Sequence, residues 1–303
     1  MLIVDTTTPV TSQKSVAAVE ALKESYPGLQ VKTIATTAFS RPVQAVQIGS
    51  GAKRVLFAAS FHANEWITSL VLLKFLEELM TAANTGGQIL GEDARQLLQQ
   101  VTVSVVPMVD PDGVDLVTGA ATPQAYAKAE AIARHFPDIP FPEGWKANLN
   151  GVDLNLQYPA GWLKAREMKF MQGFDRPAPR DYVGLYPLSQ PESRGLAEYT
   201  ESFDPDLVVA FHTQGKEIYW EFEDYFVPGA RELGERFAQV SGYTLADVPE
   251  SSSYAGYKDW FIKVFRRPGY TVEAGLGVNP LPISQFDEIY KDTLPILVAA
   301  MKM

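Results

Sequence analysis

Arg54-Val55-Leu56-Phe57-Ala58-Ala59-Ser60-Phe61-His62-Ala63-Asn64-Glu65-Trp66 is the stretch on which the fold of this chain turns. Its first half is a short β-rich apolar run without alternation, the pattern of a strand buried on both faces. Its second half puts an imidazole just past the strand end and a carboxylate three positions later. A helical pattern follows over 66–81, apolar at Ile67, Leu70, Val71, Leu73 and Leu76. A doubly buried strand feeding an amphipathic helix belongs to an α/β sheet covered on both sides.

The same grammar repeats outward from this stretch. Further strands are predicted at 29–36, 43–48, 101–108, 206–211 and 269–274, beside the one at 54–60. Helices are predicted at 14–26, 92–100, 122–136, 190–202, 229–241 and 285–302. In open α/β sheets, ligands gather outside the carboxyl ends of strands. His62 and Glu65 follow the strand at 54–60, His212 ends Val208-Val209-Ala210-Phe211-His212, and Glu273 closes Gly269-Tyr270-Thr271-Val272-Glu273. Two imidazoles and one carboxylate are a catalytic zinc set that leaves a fourth position open. One zinc per chain on His62, Glu65 and His212 is therefore expected. Zinc so held polarises a carbonyl and activates water, which points to hydrolysis of an amide or ester.

Glu273 interrupts an apolar run, and an unpaired buried carboxylate is costly. A place beside attacking water, where it accepts and returns a proton, explains it better than a structural ion pair. Asp153, in Asn150-Gly151-Val152-Asp153-Leu154-Asn155, is read as the carboxylate that orients a ligating histidine from behind. The third histidine, His135, ends an amphipathic helix and is read as a surface or capping residue.

Bulk composition narrows the partners. The 303 residues suit one large α/β domain, and the whole chain, 1–303, is expected to be a single catalytic domain. A formal charge of −10 argues against a nucleic-acid partner, whose phosphates need a basic face. No cysteine is present, so disulfides and thiolate metal sites are both ruled out. The sequence carries no long apolar span, so no membrane insertion is expected. No secretory leader is read at Met1–Thr6, and the expected location is cytoplasmic, unless this is a trimmed form of a secreted or spore-associated protein. Asp110-Pro111-Asp112-Gly113 reads as a turn after a strand, and the Pro/Gly-rich segments 137–147 and 173–191 as the rim of a cleft.

Taken together, His62-Ala63-Asn64-Glu65-Trp66-Ile67-Thr68, Asp110-Pro111-Asp112-Gly113, Gly151-Val152-Asp153-Leu154-Asn155, Phe211-His212 and the strand ending at Glu273 resemble the zinc metallocarboxypeptidases. For carboxypeptidase A the two-histidine, one-glutamate zinc set is established chemistry rather than an inference from this chain. The resemblance implies a single α/β/α domain with a mixed, mostly parallel sheet, zinc on His62, Glu65 and His212, and Glu273 as acid and base.

Three departures redirect the substrate. The family's His-x-Arg-Glu reads Asn64 at its third position. Its Asp-x-Asn-Arg, whose last two residues clamp a peptide's terminal carboxylate, reads Asp153-Leu154-Asn155-Leu156. Leucine cannot make arginine's bidentate contact. The arginine that stabilises the oxyanion in the family is replaced by Lys146, a point charge.

This pattern, with Leu154–Trp162, His212-Thr213-Gln214-Gly215 and Ala255–Trp260, is similar to the bacterial γ-D-glutamyl-diamino-acid peptidases. It implies cleavage of a peptidoglycan-derived peptide between γ-D-glutamate and meso-diaminopimelate or lysine. Asn155, Tyr254 and Lys258 are expected to touch substrate, with Lys258 facing the extra carboxylate of diaminopimelate. The rival readings are a carboxypeptidase clamping its substrate with Arg166, Arg176 or Arg180, an N-acyl amino acid deacylase, and an inactive muropeptide-binding module.

Overall fold

The computed structural model describes residues 3–249 and 253–303. In chain order it contains helix α1 (Ser12–Ser25), strands β1 (Gln30–Thr36), β2 (Pro42–Ile48) and β3 (Lys53–Ala59), and helix α2 (Ile67–Thr85). A two-stranded ribbon, β4 (Gln88–Ile89) and β5 (Glu92–Asp93), leads to α3 (Ala94–Gln100), β6 (Val101–Val106), α4 (Pro111–Val117) and α5 (Pro123–Ala133). After a long irregular stretch come α6 (Trp162–Met171), α7 (Pro191–Phe203), β7 (Leu207–His212) and β8 (Glu217–Tyr219). The chain closes with α8 (Ala230–Ser241), β9 (Thr244–Ala246), α9 (Tyr257–Phe265), β10 (Gly269–Glu273) and α10 (Phe286–Met301).

Eight strands form one mixed sheet in the order β1-β2-β6-β3-β7-β10-β8-β9. Its centre, β6-β3-β7-β10, is parallel throughout. The quoted run explains why. Val55, Phe57 and Ala59 enter one core with α2 and α10, while Leu56 and Ala58 enter the other with α7 and α9. Because successive side chains point to opposite faces, a strand covered twice must be apolar at every position. Burying Phe57 alone is worth about 1.5–3 kcal/mol. The expected single α/β domain with helices on both faces is the one observed. Among the described residues no helix is long and apolar enough to cross a membrane.

Several elements differ from the sequence reading. Asp110-Pro111-Asp112-Gly113 opens helix α4 instead of making an isolated turn. The Asp110 carboxylate accepts from the Gly113 amide at 3.0 Å, and Pro111 sits at the helix start. A helix N-cap and a turn share the same signature, and only the following packing separates them. Helix α2 runs on to Thr85 because nothing breaks it before Gly86, whose φ of 69° ends it in the left-handed conformation. Helices α6 and α9 and the three-residue strands β8 and β9 were not anticipated. Strands that short carry no readable period.

One close approach holds the site's supporting turn. Ser193 Oγ on α7 donates to Leu154 O at 3.1 Å, fixing the turn that follows Asp153. Helix α7 can lie that near the sheet because residue 195 is glycine. A Cβ there would stand 2.3 Å from Ile34 O and 2.8 Å from Ala35 Cβ. Alanine is the better helix former by about 1 kcal/mol, whereas overpacking costs about 1–3 kcal/mol. Gly195→Ala is thus expected to destabilise the protein in urea unfolding, and a stabilised variant would remove the steric argument.

Candidate metal and catalytic site

Three adjacent parallel strands bring the chemistry together. β3, β7 and β10 end at the same edge, with Ala59 beside Phe211 and His212 beside Glu273. Past β3 the chain reverses at Ser60, whose φ is 48°. That residue is tied to the start of α2 by its amide to Thr68 Oγ1 at 3.0 Å and its hydroxyl against Ser69 Oγ at 2.7 Å. One turn of 3-10 helix, Ala63–Glu65, then swings the Glu65 carboxylate back beneath His62.

His62 Nδ1 lies 2.9 Å from Glu65 Oε1, His212 Nδ1 lies 2.9 Å from Glu65 Oε2, and the two Nδ1 atoms stand 3.1 Å apart. All three residues are buried. His62 Nε2 faces Asp153 Oδ1 at 3.1 Å. A neutral imidazole has one N–H, and a carboxylate draws it to Nε2, leaving the Nδ1 lone pair turned inward. The ring of Phe61 stacks over His212 with centroids 5.1 Å apart. Two inward nitrogens and one carboxylate, with donor atoms within 4.8 Å of one another, fit a single tetrahedral cation.

Charge follows the geometry. Burial by itself would lower the His62 pKa, but Glu65 and Asp153 override it and push it up to about 9. Burial would raise Glu65, and the two imidazoles hold it far below the usual carboxylate range instead. Asp153 is likewise held low against its burial, by His62, Lys146 and Lys169. Its carboxylate also accepts from the Asn155 amide at 3.1 Å and the Asp181 amide at 3.4 Å. His212, with burial dominating, is held down. Glu65 and His212 are thus held in the forms a metal needs, ionised carboxylate and neutral imidazole, whereas His62 must give up a proton as a metal binds.

Glu273 stands beside this cluster, facing a cleft of about 640 Å³ that also exposes Asn64, Glu65, Lys146, Arg180 and Tyr219. Burial, then the charges of Glu65 and Glu217, push its carboxyl up to about 8, while Lys146 and His62 oppose the rise. Glu217 sits directly opposite Glu273 across the antiparallel β8–β10 pair. Tyr219 donates to Glu217 Oε2 at 2.6 Å.

The sequence matches the peptidase M14 family, zinc carboxypeptidase, over residues 15–295. The chain belongs to the zinc carboxypeptidase family. γ-D-Glutamyl-L-diamino acid endopeptidase 1 of Lysinibacillus sphaericus is 44% identical over 283 residues, 93% of this chain and 70% of that protein. Murein peptide amidase A of Escherichia coli strain K12 is 37% identical over 100 residues, 32% of this chain and 38% of that protein. The fold superposes on thrombin activatable fibrinolysis inhibitor with a TM-score of 0.79 at 16% identity, over 100% of this chain and 76% of that one.

Zinc is the family's metal, and His62, Glu65 and His212 are the residues that would hold it here. Lys146 lines the cleft, tied to the ligand turn through its carbonyl, which accepts from the Ala63 amide at 3.1 Å. At the family's arginine positions, Asn64 lines the cleft while Leu156 packs with Trp162, Val183 and Ala255.

None of the three residues expected to touch substrate is among those that line this cleft. Asn155 turns its Oδ1 to the Tyr257 amide at 3.0 Å, at the start of α9. Tyr254 packs edge-on against Phe222, with Lys164 Nζ 4.9 Å from its ring centroid, and lines a separate acidic hollow with Glu221, Glu223 and Asp224. Lys258 is only 4% exposed, pairs with Asp259 Oδ1 at 2.6 Å and donates to Glu221 O. The structure therefore corrects the expectation that Lys258 faces the cleft, because a buried ammonium must find a partner and its neighbour supplies one. Glu217 and Tyr219 were missed, since the strand that aligns them with Glu273 is three residues long.

Two outcomes test the site. His212→Ala should fall from one bound zinc per chain to nearly none by metal analysis, and full occupancy in that variant would refute the ligand set. Glu217→Gln removes a like charge that raises the Glu273 carboxyl. With Glu273 as the expected base, which acts deprotonated, the acidic limb of the kcat/KM–pH profile should move to lower pH. A limb that stays put or moves up would uncouple Glu217 from Glu273.

Proposed function

We propose that this protein hydrolyses the amide bond between γ-D-glutamate and a diamino acid, meso-diaminopimelate or lysine, in peptides derived from peptidoglycan. The observation that carries this reading is the 44% identity, across 93% of the chain, to an endopeptidase named for that bond. The fate of Leu156 supports it. Where a terminal-carboxylate clamp would need a guanidinium, this chain places a side chain in an apolar cluster.

The residues divide the work by position. Glu273 accepts the proton of the attacking water and returns it to the departing amine nitrogen, a role typically worth about 10²–10⁴-fold. The Lys146 ammonium faces the charge that develops on the scissile carbonyl oxygen, acting as a point charge in place of a fork. Asp153 keeps the His62 ring in one tautomer and one orientation. Zinc, when bound, supplies the Lewis acid that polarises the carbonyl and activates water.

The test uses L-Ala-γ-D-Glu-meso-diaminopimelate, its lysine analogue, and forms amidated or extended at the terminus, with products identified by mass spectrometry. Release of the diamino acid, and continued cleavage after amidation or extension, is the expected result. Release of free terminal residues from ordinary L-peptides, with no γ-glutamyl cleavage, would make this an ordinary carboxypeptidase.

A further inference from the structure

Three arginines are open as readers of a substrate carboxylate, and the fold sorts them. The Arg166 guanidinium lies over the Phe170 ring at 4.6 Å, and Arg176 Nε pairs with Asp175 Oδ1 at 2.9 Å on the exposed surface. Arg180 lines the cleft that holds Glu65, Lys146 and Glu273.

Its placement is built from several directions. The Pro179 carbonyl accepts from the amides of Lys146 and Ala147 at 2.8 and 2.9 Å. The Ala178 amide donates to Gly151 O at 3.0 Å, and the Tyr182 carbonyl accepts from the Asp153 amide at 2.8 Å. The strap that carries Arg180 is therefore fastened to the segments that carry Lys146 and Asp153. The side chain is held as well. Arg180 Nε donates to Asp181 Oδ2 at 2.6 Å, and Lys169 Nζ holds Asp181 Oδ1 at 2.6 Å. Two cations share one carboxylate, so the trio keeps a net positive charge. The two terminal nitrogens of Arg180 have no acceptor among the described residues. A guanidinium anchored through Nε presents a planar pair of N–H donors, the geometry that binds a carboxylate with two parallel hydrogen bonds.

We infer that Arg180 binds a carboxylate on the acyl side of the scissile bond, which, on the proposed function, is the free α-carboxylate of the γ-linked D-glutamyl residue. The acyl side follows from the neighbour. Lys146 attends the scissile carbonyl oxygen, and Arg180 is joined to Lys146 through the carbonyl of the preceding residue, Pro179. In a γ-linked glutamyl group three carbons separate the carbonyl carbon from the α-carboxylate carbon, about 5 Å at standard bond lengths. Arg180 then selects for a peptide whose α-carboxyl is free over one in which it is amidated.

The experiment compares wild type, Arg180→Gln and Arg180→Lys on three peptides: L-Ala-γ-D-Glu-meso-diaminopimelate, the same peptide with the glutamyl α-carboxylate amidated, and the same peptide amidated on the diamino acid. Arg180→Gln should lose about 10- to 100-fold in kcat/KM on the peptides with a free α-carboxylate. It should change little on the α-amidated one, which the wild type already handles poorly. Arg180→Lys should recover part of the loss, since it restores charge without the fork. Zinc content should stay at one per chain in both variants. An equal loss on all three peptides, no loss on any, or a loss that vanishes only when the diamino acid is amidated would each overturn the assignment. A wild type that cleaves none of the three peptides would defeat the proposed function itself, whereas an active wild type with an indifferent Arg180 would defeat only this inference.

Discussion

A buried carboxylate between two buried imidazoles is the interaction on which the rest of this structure depends. Glu65 has Nδ1 of His62 and Nδ1 of His212 each 2.9 Å away, and all three residues are buried beside the cleft that Glu65 lines. Burying such groups without partners costs several kcal/mol apiece. The fold meets that cost in layers. Asp153 backs His62, the amides of Asn155 and Asp181 back Asp153, and Ser193 on α7 holds the turn that presents them. Behind His62 each layer is polar and hydrogen-bonded, whereas His212 Nε2 is buried with no partner among the described residues, so the chain of hydrogen bonds anchors the cluster from one side.

The same placement of charge lets an acidic protein offer cations inside its cleft. The chain carries a formal charge of −10, yet the cleft exposes Lys146 and Arg180 beside Glu65 and Glu273. Net charge governs solubility and long-range encounter, while local charge governs binding. Glu217 opposite Glu273 runs against ordinary sheet pairing, where like charges facing each other are destabilising. Such a pair is explicable where a raised carboxyl is useful, as it is under the proposed role of Glu273, which must give back the proton it takes.

Much of this was legible in one dimension. Apolar runs without alternation announced strands buried on both faces, and His62, Glu65, His212 and Glu273 were readable because each stood just past or at the end of such a run. The cleft rim in 137–147 and 173–191 was readable from its proline and glycine content, and Asp138, Gly144 and Arg180 of those segments do line the cleft. The reading failed where meaning depended on a partner. Lys258 was given a substrate carboxylate when its own neighbour, Asp259, already neutralised it. Asp110–Gly113 was read as a turn because capping and turning use the same residues.

The sequence by itself determined the architecture, the family and a cluster of residues able to hold a metal, because strand burial and ligand chemistry are written in residue type and local spacing. Only the tertiary structure decided which charges are free to act. Arg166, Arg176 and Arg180 are indistinguishable as letters. One lies over an aromatic ring, one pairs at the surface, and one is held at its Nε with its fork turned to the cleft. Glu217 and Glu273 are far apart in the chain and meet only through the register of a three-residue strand. Electrostatic influence falls with distance through space, and distance through space is what a linear sequence does not state.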